Sequence, residues 1–331
     1  MGELNLNLDE LLGAGAVRAE DVLKLRRSFY PDGHISPAEA EALFTINRAC
    51  PEQDAEWSDF FCEVMTDFVV QQALPQGYVT AENADWLIDR ISEDGVVQTM
   101  TELEALIRIL DSARWAPEKL VRFALEQVKH AVVEGTGPLR AGTHLEPGRI
   151  SEGETALVRR ILYAMGGEGN IGITRAEAEV LFDINDATAG GTDDPAWSDL
   201  FVKAIANYLM SASGYAVPSR EEALHQEEWL EERGELTLGS MLSNLASGGF
   251  AKMFSAYKEQ SWEEQALERI EQQRIAMITS EAVTEPEASW LAERINRDGD
   301  LHENEKALVA FLKQTSPHLH ESLQPLLDRA A

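Results

Sequence analysis

The sequence predicts an all-α protein: two duplicated multi-helix halves built from helix–loop–helix units, with a C-terminal helix pair. Three observations carry this. Apolar residues recur at helical spacing, as in Trp57, Phe60, Phe61, Val64, Met65 and Phe68, which fall at i, i+3, i+4, i+7, i+8 and i+11. Strand-like alternation is scarce. Long stretches of the chain also repeat, which is read before any fold argument.

The elements follow in order. A tail, 1–19, precedes a first helical half, 20–134. A Gly- and Pro-rich stretch, 135–153, reads as a linker. A second half, 154–248, follows, with an insert at 249–280 and a C-terminal helix–loop–helix unit at 281–331. In the repeat, Arg26-Arg27, Tyr30, Ile35, Ala38-Glu39-Ala40-Glu41, Leu43-Phe44 and Ile46-Asn47 face Arg159-Arg160, Tyr163, Ile173, Ala176-Glu177-Ala178-Glu179, Leu181-Phe182 and Ile184-Asn185. "DAEWSDFF" (54–61) faces "DPAWSDLF" (194–201), so Trp197, Leu200, Phe201, Ala204, Ile205 and Tyr208 keep the first apolar stripe. A third motif, "VTAENADWLIDRISEDG" (79–95), recurs as "VTEPEASWLAERINRDG" (283–299), and a shortened form, "EEWLEERGEL", stands at 227–236. Asp54 and Asp194 stand at N-cap positions, with Pro195 opening its helix. Ser36 with Glu39, Thr174 with Glu177 and Thr284 with Glu287 read as capping boxes.

Charge narrows the partners. The 331 residues carry 58 acidic and 28 basic side chains, a formal net charge of −30. Such a surface repels phosphate backbones and anionic lipid, which argues against nucleic acid and membrane insertion. It leaves cations or a protein partner with a basic surface. Two cysteines, Cys50 and Cys62, make no disulfide framework and suit a reducing compartment. No secretory leader or membrane-length apolar run is read, so the expected location is cytoplasmic.

Gly167-Glu168-Gly169-Asn170-Ile171-Gly172 matches the dinucleotide pattern G-x-G-x-x-G letter for letter. That fingerprint needs a preceding strand, whereas "TALVRRILYAM" (155–165) is helical in pattern. The match is accidental, and the glycines lengthen a connection between helices.

The connections themselves carry a motif. Asp32-Gly33-His34-Ile35 with Glu39, and Asp298-Gly299-Asp300-Leu301 with Glu305, both read D-G-x-[IL]-x-x-x-E. These two short loops resemble the second half of an EF-hand calcium loop in degenerate form. The resemblance implies Asn296, Asp298, Asp300 through its carbonyl, and Glu305 as metal ligands, with Asp32 and Glu39 as a lesser pair, and calcium as the one cofactor to consider. The first halves of the loops depart from the pattern, with Ser28 and Tyr30 in one and Arg294 in the other where carboxylates belong. Ligand chemistry therefore favours loops that only join helices.

"SPHLHES" (316–322) sets His318 and His320 two apart, off the i, i+4 spacing of a helical zinc pair. No helical zinc motif, nucleophile elbow or P-loop signature is present. The segment 239–260 has no first-half equivalent. It gathers Met241, Leu245, Phe250, Met253, Phe254 and Tyr257 around Gly248-Gly249, a composition that suits adaptable protein contacts. The functional expectation is a non-enzymatic acidic helical binding or scaffold protein engaging a protein partner or cations. An EF-hand-like calcium sensor or buffer is the alternative, and a divalent-metal enzyme using clustered carboxylates comes last.

Overall fold

The structure, a computed structural model, describes residues 11–29, 33–142, 145–164, 172–191, 194–211, 283, 285–295, 297, 300–316 and 319–329. The described residues are mostly helical, as the apolar spacing predicts. They form two compact units, Met1–Ala141 with Leu157–Glu168, and Gly142–Ala156 with Gly169–Ala331.

The first unit holds α1 (Ala19–Phe29), α2 (Pro37–Ala49), α3 (Ala55–Thr66), α4 (Ala81–Ile91), α5 (Met100–Ser112) and α6 (Glu118–Lys129). Both α3 and α6 run on as wider π-helical turns, Asp67–Gln72 and His130–Glu134. The core forms where α3 packs against α5. Trp57, Phe60, Phe61, Val64 and Met65 of the α3 stripe are fully buried there. Asn47 organises the polar centre of this core. Its Oδ1 accepts from Trp57 Nε1 at 3.0 Å, and its Nδ2 donates to Thr99 Oγ1 at 3.0 Å. Buried polar groups need such partners, because each one left unmade costs about 1–3 kcal/mol.

Two short strand pairs interrupt the helices. Strand β1 (Ala16–Val17) pairs in parallel with β2 (Glu52–Gln53), which draws the end of the N-terminal tail into the unit and buries Val17. Strands β3 (Ser92–Glu93) and β4 (Val96–Val97) form an antiparallel hairpin. Its two turn residues, Asp94 and Gly95, have φ of 52° and 82°, the left-handed pair of a tight hairpin turn. The stretch 135–153, read from composition as a linker, contains a buried 3-10 turn at Pro138–Arg140, in which Arg140 Nε donates to the Ala131 carbonyl at 2.7 Å.

Helix α7 (Glu152–Tyr163) contributes residues to both units. The second unit adds α8 (Arg175–Thr188), α9 (Pro195–Ser211), α10 (Glu285–Ile295), α11 (Glu303–Thr315) and α12 (Gln324–Arg329). Helix α9 packs against α11, and Trp197, Phe201, Ala204 and Ile205 are fully buried.

Residues that the sequence repeat sets opposite one another make like contacts within each unit. Phe44 meets Phe61 at 5.2 Å and Trp86 at 5.8 Å, both edge-on. Phe182 meets Phe201 at 5.0 Å and Trp290 at 5.5 Å, also edge-on. Trp86 Nε1 donates to Glu41 at 3.3 Å and Trp290 Nε1 to Glu179 at 2.6 Å. The tryptophan on Phe182 thus comes from the C-terminal motif. The shortened motif at 227–236 lies outside the described residues.

Candidate functional site

The glutamates expected to close the EF-hand-like loops are both engaged in helix capping. Glu39 Oε2 accepts from the Ser36 backbone N–H and from Ser36 Oγ, each at 2.8 Å, while Ser36 Oγ accepts from the Glu39 N–H at 3.3 Å. Glu305 is 2% exposed, and its Oε2 accepts from the His302 backbone N–H at 2.7 Å. Three further glutamates do the same work. Glu102 caps α5 through Thr99, Glu154 caps α7 through Ser151, and Glu177 caps α8 through Thr174. One local device, a Ser, Thr or His three residues before a glutamate, explains all five.

Of the other proposed ligands, the described residues include only Asp300. Asp300 is exposed, while Asp32, Asn296 and Asp298 lie outside the described residues. Among the described residues no group of three or more His, Cys, Asp or Glu is arranged to hold a metal ion. The partner-contact residues Met241, Leu245, Phe250, Met253, Phe254 and Tyr257, and the Gly-rich match at 167–172 apart from Gly172, also lie outside them.

Two N-cap expectations meet different outcomes. Asp194 Oδ1 accepts from the Ala196 N–H at 3.2 Å, at the start of its own helix. Asp54 makes no such bond in α3. It reaches instead to the start of α1, where Oδ2 accepts from the Ala19 N–H at 3.0 Å and Oδ1 pairs with Arg18 at 3.2 Å. Asp21 of α1 accepts from the Arg18 N–H at 3.2 Å, and β1–β2 pairing brings Asp54 to the same helix end.

A cluster of charge in the second unit forms an arginine clamp. The Arg294 side chain is only 4% exposed and pairs with Glu179 at 3.3 Å, Asp183 at 2.5 Å and Asp186 at 3.0 Å. These acids stand at i, i+4 and i+7 on α8, so one face of that helix presents all three to α10. Asp183 and Asp186 open an acid-rich stretch, 183–194, whose charge calls for a cation. Arg294 supplies that cation from the chain itself.

A surface feature escaped the sequence reading. Leu74 is 84% exposed and Trp115 is 47% exposed, on two loops joined by hydrogen bonds. Arg114 N–H donates to the Gly77 carbonyl at 2.8 Å, and Val79 N–H donates to the Trp115 carbonyl at 2.9 Å. Gly77 N–H is held by the Val70 carbonyl at 2.7 Å. The loops are therefore anchored, and the two apolar side chains are displayed from fixed backbone. By contrast, a shallow apolar dimple between α11 and α12, lined by Val309, Leu312, Leu319, Leu323, Leu326 and Leu327, offers only about 180 Å³ even with open solvent counted. Small-molecule sites start at about 300 Å³ and carry convergent polar groups, which this lining lacks.

No helix among the described residues is long and apolar enough to cross a membrane. Comparison with protein-family models, with curated proteins and with solved structures finds no match for this chain.

Proposed function

We propose that this chain is a non-enzymatic binding module whose acidic surface engages a protein partner carrying basic side chains. The observation that supports this most directly is where the carboxylates go. Glu39, Glu102, Glu154, Glu177 and Glu305 cap helices, and Glu179, Asp183 and Asp186 hold Arg294. The acids that sequence reading nominated for chemistry, where described, thus hold the fold together or lie exposed. The remaining excess is a surface field, in a chain with 58 acidic against 28 basic side chains. Fields of that sign raise association rates with cationic faces and suppress acidic ones.

A reducing cytoplasm suits the reading, since Cys50 and Cys62 are free and buried. The test is binding of the full chain to a panel of purified basic and acidic proteins at low and high salt. Salt-sensitive, saturable binding confined to basic proteins supports the module. Indifference to partner charge would sink it. Calcium belongs in the same experiment, because binding that appears only with calcium would favour a sensor instead.

A further inference from the structure

We propose that the anchored loops carrying Leu74 and Trp115 form the docking surface of this module, and that its occupant is a basic amphipathic segment of a partner protein. The proposal rests on the binding-module reading above and names where the partner sits. Leu74, at 84% exposure, projects an apolar side chain that the fold does not use, and the loop bonded to its own carries a half-exposed indole. Tryptophan and arginine are the residue types most enriched where binding energy concentrates, and Arg114 adjoins Trp115. Backbone bonds already fix both loops, so little ordering entropy remains to be lost on binding.

The rim argues for the sign of the occupant. The two loops lead directly into the first turns of α4 and α6, which lie side by side, as the Asp85–Lys119 ion pair between them shows. Glu82 and Glu118 stand exposed in those first turns, and neither makes an ion pair among the described residues. A segment with apolar residues on one face and lysines flanking it meets the indole and the leucine with the first and these carboxylates with the second. Arg114 carries donors for main-chain carbonyls of the same segment. Charge also selects against two competitors. A second copy brings its own −30 to the contact, and an anionic lipid surface is repelled by the same field.

The test titrates a synthetic amphipathic helical peptide of leucine and lysine into the full chain by calorimetry, with a leucine–glutamate peptide of the same pattern beside it. Leu74→Ser and Trp115→Ala change the surface. Leu23→Ser removes another exposed leucine, 58% exposed on α1, and serves as the control. The expected result is one-to-one, salt-sensitive binding of the lysine peptide, weakened about tenfold or more by either loop variant and unchanged in the control, as for a central contact residue. Equal binding by Leu74→Ser, Trp115→Ala and Leu23→Ser would overturn this surface while leaving the acidic module standing. No binding of the lysine peptide at low salt would overturn both. Equal binding of the glutamate peptide, or self-association of the chain lost in Leu74→Ser, would overturn the assigned occupant.

Discussion

The guanidinium of Arg294 lies over the ring of Phe182, 5.1 Å from its centroid, while its nitrogens face three carboxylates of the same helix. One residue of α10 thereby reads an aromatic and an acidic face of α8 at once. Its counterpart in the first unit, Arg90, is 39% exposed and pairs with Glu41.

Removing Arg294 leaves Glu179, Asp183 and Asp186 close together with their main counter-charge gone. Arg294→Leu is expected to cost about 3 kcal/mol, the low end for breaking a buried pair because the acids keep roughly a third of their exposure. Arg90→Leu is expected to cost about 1 kcal/mol or less, as for a surface pair. Urea unfolding followed by tryptophan emission measures both. Equal costs would show that burial of Arg294 contributes nothing.

Glu102 gives a pH dependence. Burial pushes its carboxyl above the usual carboxylate range, against the opposing bonds from Thr99 and the nearby Arg48. A raised value means the fold prefers the protonated form. That stability is fully present below the unfolded-state value, about 4.3 for a free glutamate, and is lost as pH rises through the folded value. Glu102→Gln keeps an acceptor for the Thr99 N–H without the buried charge. The variant is expected to be more stable than the parent at neutral pH, with the gain shrinking as pH falls. A gain that grew in acid would contradict the assignment.

The capping glutamates separate a structural role from a metal-binding one. Glu39→Ala is expected to cost about 0.5–1 kcal/mol, while Glu39→Gln, which can still accept from Ser36, stays close to the parent. Glu305→Gln is expected to leave tryptophan emission equally unresponsive to calcium and to chelator. A calcium response in the parent that Glu305→Gln abolishes would restore the EF-hand-like reading.

Cys62 is expected to be inert in the folded chain. Burial pushes its thiol up to about 12, so the reactive thiolate is almost absent at neutral pH. Burial raises Cys50 as well. Thiol titration with an aromatic disulfide reagent should read neither cysteine until denaturant is added. Rapid labelling in native buffer would place one of them at the surface.

The helical stripes were legible because burial on a helix follows a period that the letters carry. Trp57 through Met65 and Trp197 through Ile205 fall where that period puts them. Local capping was legible for the same reason, since Ser36–Glu39 and Thr174–Glu177 need only four neighbouring residues. Asp54 does stand at the N-cap of α3, but the end its side chain serves was not legible, because pairing of β1 with β2 brings Ala19 to it from 35 residues away. Leu74 and Trp115 could not be found in the sequence at all. Nothing local marks a leucine as exposed, and the bonds that set the two loops side by side link Gly77 to Arg114 and Val79 to Trp115. The clamp at Arg294 fell between these cases. The arginine was noted as a departure from a calcium loop, yet its role depends on α8 facing α10.

The hairpin at 92–97 has a consequence for the timing of local opening. Gln127, on α6, donates to the Gly95 carbonyl at 3.0 Å and accepts from the Val97 N–H at 2.8 Å, so a two-residue strand borrows its protection from a distant helix. The Val97 amide then exchanges with deuterium when α6 moves away, not when the short ladder frays. A turn that looks like the loosest part of the unit keeps time with one of its core helices.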